Sequence, residues 1–450
     1  MNKLVSQLFK PVDIASIVFI RISLGIILSL DVLRYMATQN GKVFWKAIWI
    51  DPEFHFKYFG FGWVETVPET YLNLIVIIVA LSALFVAIGF LYRISATIFF
   101  FGFSYLFLLE QAYYLNHYYL VILVSFLLIF IPANRLFSVD SLIWPKLRSN
   151  VISAWCLWLL MFQIGIVYFY AGVAKLNADW LQGWPLRMWL DDVGFSGIYK
   201  EIFIYSATYF GLLFDLLIVP MLLYRRTRII GFTLAIIFHI SNKLLFNIGV
   251  FPFLSLTLTT LYFSPSWPRK VFRLKRIDEE RENITKSLIF KPETRRHLTV
   301  VFLSVYVVFQ ILFPLRHFIY PGNVSWNEEG HKFSWHMKLR DKDGKIRYFI
   351  LDPETGKEWK LNPSSYLTHR QARYLSTRPN LMIQFAHYIE KQFKEIGYED
   401  VEVRARALVS LNGRKKQLII DPNVDLTKKR ESMMHADWIL PLEEPLKNKK

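Results

Sequence analysis

Val151-Ile-Ser-Ala-Trp-Cys-Leu-Trp-Leu-Leu-Met-Phe-Gln-Ile-Gly-Ile-Val-Tyr-Phe-Tyr170-Ala-Gly-Val-Ala-Lys175-Leu-Asn-Ala-Asp-Trp180 is the stretch on which the reading of this chain turns. Residues 151–173 form an apolar run long enough to cross a bilayer, which takes ~20 residues, and a lysine closes it. A cation beside the hydrocarbon core is expensive, so Lys175 is a functional suspect by default. Position alone leaves two readings open. The amine snorkels to lipid headgroups, or it is desolvated, with a lowered pKa that makes it a usable general base. The neighbouring Ala171, Gly172 and Ala174 permit close helix packing and favour a buried amine.

Working outward, apolar runs dominate residues 12–316, and nine candidate spans fall at about 13–35, 71–91, 94–109, 114–131, 151–173, 202–223, 229–246, 248–264 and 298–316. The third, fourth and eighth are short. Basic residues choose the orientation. With the N-terminus inside, the inside segments carry Lys3, Lys10, Arg93, Arg135, Lys146, Arg148, Arg225, Arg226, Arg228 and the basic stretch from Arg269 to Arg296. The outside segments, ending with the link at Asn247, carry Asp51, Glu53, Glu65, Glu69, Asp179, Asp191 and Asp192. Trp45, Trp49, Trp63, Trp180, Trp184 and Trp189 fall in outside loops and read as an interfacial belt or as re-entrant segments. This topology puts three polar clusters on one side of the membrane: Lys175, Asn116-His117 and His239-Ser241-Asn242.

The expected fold is a polytopic α-helical membrane bundle of about nine helices, residues 1–318. An α+β, β-rich extracytoplasmic domain follows, residues 319–450. In that domain the alternation in Phe333–Leu339 predicts a strand, and Asp343-Gly344 is a hairpin signal before a strand at 346–351. Asp352–Gly356 is a turn leading to a strand at 358–361. Helices are predicted over 365–374 and 379–396, and strands over 401–411 and 417–420 flank Asn412-Gly413, the strongest short hairpin signal.

A net charge of +17 raises the possibility of a nucleic-acid partner, but the basic residues flank apolar runs, so anionic membrane lipids and topology account for them better. The single cysteine, Cys156, excludes an intramolecular disulfide and a thiolate metal cluster. An extracytoplasmic domain without disulfides points to a bacterial inner membrane. The first apolar run contains Arg21 and Asp31 and reads as a span, not a cleavable signal.

His117 is either an interfacial histidine bonded to a loop or a donor to a developing oxyanion, with Asn116 as the second donor. His239 and Asn242, three apart, share a helix face, either as an interhelical polar clamp or as pocket lining. Neither histidine has a carboxylate at helical spacing, so no metal site is expected. Arg21, Asp31 and Arg34 in the first span and Asp215 in the sixth read as buried ion pairs that hold the bundle, with proton conduction as the sharper alternative.

Taken together these stretches resemble the vitamin K-dependent gamma-glutamyl carboxylases, within the wider group of HTTM membrane proteins. The likeness rests on Asn116-His117 with Ala133-Asn-Arg-Leu-Phe-Ser-Val-Asp140, on Ala171–Trp180, and on Phe238-His-Ile-Ser-Asn-Lys243 through Phe251 with Ser264-Pro-Ser-Trp-Pro-Arg269. It continues in Phe333-Ser-Trp-His-Met337, Leu361-Asn-Pro363 and Asp421-Pro-Asn-Val-Asp425. The resemblance implies vitamin K hydroquinone as cofactor, with O2 and CO2 as co-substrates and no metal. The reduced naphthoquinone is oxygenated and epoxidised, the oxygenated species removes the γ-proton of a peptide glutamate, and the carbanion takes up CO2, a lyase-like carboxylation that yields carboxyglutamate. Lys175 then deprotonates the quinol, and His117 with Asn116 stabilises the oxygenated intermediate. His239, Asn242, Tyr170 and Trp180 are assigned to the quinone pocket. Ser334, Trp335, Met337 and Arg340 are assigned to the glutamate of a peptide or protein. Arg340 stands where the animal enzymes have histidine, and those longer enzymes carry a disulfide that this chain cannot form. A quinol epoxidase without carboxylation is the nearest alternative. A membrane transporter and a membrane scaffold are the others.

Overall fold

The computed structural model describes residues 3–39, 41–190, 197–246, 248–276 and 293–446. Asp191, Asp192, Asn247 and most of the basic stretch between Arg269 and Arg296 lie outside the described residues. Nine apolar helices match the nine expected spans in order: α1 (Ala15–Arg34), α2 (Glu69–Ile88), α3 (Tyr92–Leu108), α4 (Asn116–Phe130), α5 (Ala154–Ala174), α6 (Gly197–Leu223), α7 (Arg228–Leu245), α8 (Phe251–Thr259) and α9 (Glu293–Leu312). Among the described residues six helices are long and apolar enough to span a membrane, while α3, α4 and α8 are the shorter ones.

Close approach organises the first half of the bundle. A Cβ on Gly25 of α1 would lie 2.5 Å from the Ala87 backbone nitrogen of α2, so these helices touch along their backbones. Ser29 Oγ donates to the Ala80 carbonyl at 3.0 Å across the same seam. Arg21 differs from the expected ion pair. Its guanidinium donates to the carbonyls of Ala133 (2.9 Å), Leu136 (3.3 Å) and Phe137. The physical reason is the turn after α4, whose unpaired carbonyls need donors where water is scarce, and arginine brings five. Asp31 does pair with Arg34, at 3.0 Å. Of the loop tryptophans, Trp45, Trp49 and Trp180 are buried and only Trp63 is strongly exposed, which is not the pattern of a uniform interfacial belt.

The C-terminal part is a four-stranded antiparallel sheet, β1 (Lys342–Leu351), β2 (Glu358–Leu361), β3 (Glu402–Leu411) and β4 (Gln417–Leu418), in the order β2-β1-β3-β4. In β3 the residues Val403, Ala405, Ala407, Val409 and Leu411 are all buried, as a period of two demands of a one-sided sheet. Helix α11 (Pro379–Glu395) lays Leu381, Met382, Phe385 and Ile389 on that face, preceded by the short α10 (His369–Leu375).

Two local expectations fail and a third is shifted. Phe333–Leu339 is not a strand but a run of turns, with φ of +64° at Phe333, +60° at Trp335 and +53° at Lys338. The segment follows the ends of the membrane helices instead of a neighbouring strand: Phe333 N–H donates to the Tyr114 hydroxyl at 2.7 Å, and Trp335 stacks on Tyr119 with ring centroids 5.1 Å apart. Asp343-Gly344 is no hairpin but lies inside β1, opposite Ser410 and Val409. Gly344 is required there because the Ser376 carbonyl would sit 2.4 Å from a Cβ. The helix expected over 365–374 is present as α10 but starts only at His369, after a 3-10 turn at Pro363–Ser365, where Thr368 and Gln371 form a capping box. The turn at Asn412-Gly413 is present, both residues having positive φ.

The Gly344 contact gives a direct test. Gly344→Val should lower stability by roughly 1–3 kcal/mol through overpacking against backbone, read as a fall in the thermal midpoint of the purified protein. Gly62→Ala, at an exposed position with nothing near its Cβ and no positive φ, should cost less.

Candidate active site

The three polar clusters meet. Asn116 and His117 open α4, Lys175 caps the C-terminal end of α5, and His239 and Asn242 lie in the last turns of α7. All of them line one cavity of about 1360 Å³, which continues out of the bundle to the C-terminal sheet and α10.

Lys175 is not the lone amine of the sequence reading. Its Nζ is ion-paired with the Asp215 carboxylate of α6, both side chains being buried. It also donates to the Ala171 carbonyl at 3.3 Å and lies 5.2 Å from the centre of the Trp180 ring. Trp180 in turn donates its indole N–H to the Thr208 carbonyl at 3.1 Å, closing the turn after α5 onto α6. Asp215 was read as a separate structural acid. A single sequence carries no register between two spans, so nothing in it could have assigned Asp215 to Lys175.

His239 is fully buried, with Nε2 2.7 Å from the Tyr168 hydroxyl, which lies 3.3 Å from Thr259 Oγ1. Its Nδ1 is buried without a hydrogen-bond partner. Asn242 donates to the Phe238 carbonyl at 2.8 Å. The site of a Gly249 Cβ, at φ +57°, lies 3.6 Å from His117 Nε2. Asn116 joins the two halves of the molecule: Oδ1 accepts from the Tyr114 hydroxyl at 2.7 Å, and Nδ2 donates to the His336 carbonyl at 3.4 Å.

The remaining candidates divide. Trp180, Met337 and Arg340 line the same cavity. Tyr170 and Ser334 do not; they line a separate cavity of about 440 Å³. There the Tyr170 hydroxyl donates to the Ile311 carbonyl and Ser334 Oγ to the Gly330 carbonyl at 2.5 Å. Trp335 is buried against Tyr119. Arg340 is engaged by Glu328 at 2.5 Å, and Lys342 reaches the same carboxylate oxygen at 3.1 Å. Burial pushes the Glu328 carboxyl up, but Arg340 and Lys342, with Arg378 and Lys332, outweigh it and bring it down to about 2.

Two family models cover nearly the whole chain. An HTTM domain model matches residues 9–267, and a model of the vitamin K-dependent gamma-carboxylase lumenal domain matches residues 295–445. The chain belongs to the vitamin K-dependent gamma-carboxylase family. No solved structure matches it. It is therefore a gamma-carboxylase-like membrane protein with a lumenal, extracytoplasmic domain, and the family resemblance drawn from its motifs holds over both parts. Among the described residues no group of histidine, cysteine or carboxylate side chains is arranged to hold a metal ion.

Two buried junctions fasten the lumenal domain of this family member to its bundle. Asp179 accepts a two-pronged contact from Arg414, 2.7 Å on each prong, and a third bond from Asn412 at 2.8 Å. Glu110, in the turn between α3 and α4, accepts from Ala112 N–H (2.7 Å), Gln371 Nε2 (2.8 Å) and Phe56 N–H (3.3 Å). Burial raises the Glu110 carboxyl from its ordinary 4.5 to about 7 despite these donors. The folded state thus binds more protons than the unfolded one between those values. Its contribution to stability is complete below about 4.5 and is lost as pH rises through about 7. The difference in thermal midpoint between the wild type and Glu110→Gln, measured from pH 5 to 8, should fall with pH, whatever opposite slope the buried His55 and His336 impose on both proteins.

Proposed function

We propose that the chain is an integral membrane quinol-dependent gamma-carboxylase, coupling O2-dependent epoxidation of a reduced naphthoquinone to carboxylation of a peptide glutamate. The observation that carries the proposal is the single cavity that joins Lys175–Asp215, His117 and His239 to the outer domain. We take residues 1–318 as the quinol-binding catalytic unit and 319–450 as the peptide-binding unit, with the N-terminus on the cytoplasmic side of a bacterial inner membrane. A lipid-soluble quinol enters from the bilayer, and a glutamate-containing peptide enters from outside.

The residues fit a quinol. The inner half of the cavity is walled by Tyr168, Phe210, Phe238 and Phe251. Polar atoms converge on it in the way small-molecule pockets use few polar groups on an apolar wall. His239 lines the cavity, and its buried Nδ1 has no hydrogen-bond partner among the described residues. When bound, the reduced quinone supplies, with O2, a base stronger than any side chain for removing the γ-proton.

Lys175 and Asp215 act as one proton-accepting pair. This pair would hold a proton released by a bound quinol, its net charge rising by one, and the Lys175 ammonium would keep the pocket favourable to an anion. His117, with Asn116 beside it, donates to the oxygen on which negative charge develops. The aromatic inner wall of Tyr168, Phe210, Phe238 and Phe251 disfavours water beside the pair, which would protect a strong base from being quenched before it reaches carbon. Met337 and Arg340 border the outer approach.

A second reading, quinol epoxidation without carboxylation, is favoured by one contact. Arg340 is ion-paired with Glu328 at 2.5 Å, so a substrate carboxylate has to compete with that acid for it.

The test follows two products at once. Purified protein receives reduced vitamin K, a short glutamate peptide, O2 and labelled bicarbonate. Epoxide and acid-stable label should both form. Lys175→Ala should abolish both while quinol binding survives, and Asp215→Asn should lower turnover by about 100-fold or more, the range of a positioned acid–base group. Epoxide without label leaves the second reading standing. No epoxide from folded, quinol-binding protein removes both.

A further inference from the structure

A loop of the lumenal domain comes down beside the outer end of α9. It descends along α11 in three steps. The Lys429 carbonyl lies 2.8 Å from His387 Nε2. Glu431 accepts from Gln384 Nε2 at 3.0 Å and from Asn380 Nδ2 at 3.5 Å. The Met433 carbonyl then accepts from the Tyr320 hydroxyl at 2.8 Å. Beyond the tip, Glu329 takes His435 Nδ1 and the Ala436 N–H, each at 2.8 Å. The tip itself is folded by Ser432 Oγ, which accepts from the Met434 N–H at 3.1 Å. These bonds hold the loop against residues 320 and 329, directly after the last membrane helix.

That helix end is apolar and uncovered. Residues 296–319 make a candidate span of 24 residues, more than the ~20 that cross the hydrocarbon. Phe318 and Ile319, 68% and 81% exposed, therefore stand at its outer edge, on a face left to lipid. Met433 and Met434, in the loop bonded to Tyr320, are 63% and 77% exposed. A soluble surface rarely leaves large apolar side chains together in water, and such a patch marks a binding surface. Continuity with the lipid-facing end of α9 decides which kind. Methionine, unbranched and adaptable, suits a fluid partner, and the exposed Arg430 before the tip suits anionic headgroups.

We propose that Met433 and Met434 rest in the outer leaflet, giving the lumenal domain a peripheral membrane contact of its own, separate from the Asp179–Arg414 junction. The partner is the bilayer: acyl chains around the two methionines and headgroups beside Arg430. The inference needs only the extracytoplasmic placement of the domain and is independent of the carboxylase reading.

The test uses full-length protein in lipid nanodiscs with one nitrobenzoxadiazole fluorophore. Met434→Cys carries it, with Cys156→Ala removing the native thiol. Lys391→Cys in the same background is the control, since Lys391 is exposed on α11 beyond His387, farther along the helix from the Asn380 end that meets Gln111. Nitroxide on the upper acyl chain should quench the label at 434 about fivefold more than the label at 391, as for a group ~5–10 Å into the interface. Aqueous iodide should show the reverse order. The thermal midpoint reports folding, and if Met434→Cys lowers it, Met433→Cys carries the comparison. A label at 434 quenched by iodide as strongly as at 391, and not by the lipid nitroxide, overturns the proposal. A label shielded from both quenchers means that protein covers the patch, and overturns it equally.

Discussion

The buried pair of Lys175 and Asp215 sets conditions that the rest of the molecule satisfies. Removing two ions from water costs several kcal/mol each, and their attraction offsets that only in close, well-packed geometry. α5 and α6 meet that condition through absent side chains. A Cβ on Gly172 would lie 2.7 Å from Leu216 Cδ2, and one on Gly211 would lie 3.9 Å from Lys175 Cε and 3.5 Å from the Trp180 ring. The turn that carries Trp180 also carries Asp179, four residues beyond the lysine. Charge burial in the bundle and docking of the lumenal domain are thus properties of one short segment.

The roof of the cavity follows the same logic by different means. Residues 333–338 are held from below, by Tyr114, Asn116 and Tyr119, at the helix ends that also carry His117. Left-handed backbone at three non-glycine positions is tolerated because those contacts over-determine it. The result is an irregular wall between bundle and sheet, with aromatic contacts on its inner side and cations on its outer one.

How much of this could be read from the amino-acid order depends on how local the cause is. Apolar length and basic flanks gave the nine helices, including which three are short, because bilayer thickness acts on each segment separately. The polar residues that interrupt those runs gave Lys175, His117 and His239 for the same reason. Asp215 was visible as an anomaly but not as a partner, since pairing across helices is a matter of rotation and register. The family resemblance assigns Tyr170 to the quinone pocket, yet it stands five residues before Lys175, a spacing that turns a helical side chain well away, and it faces another cavity. Phe333–Leu339 alternates like a strand but is held by the membrane helix ends through Tyr114 and Tyr119 instead of by the sheet. Gly344 looked like a turn and proved to be a clearance for the Ser376 carbonyl.

The Asp179–Arg414 junction has a consequence for how the molecule comes into being. A chain emerges from the ribosome in order, and early parts begin to fold first. Lys175 and Asp215 belong to helices inserted long before residue 414 exists. The last wall of the cavity depends on a turn about two hundred residues later in synthesis, tied down in part by Trp326 donating to the Leu440 carbonyl at 2.8 Å. Until then the buried pair lacks the wall that the lumenal domain adds to its cavity. The completion of that cavity is therefore a late event in assembly, separable in time from the membrane bundle that holds the pair.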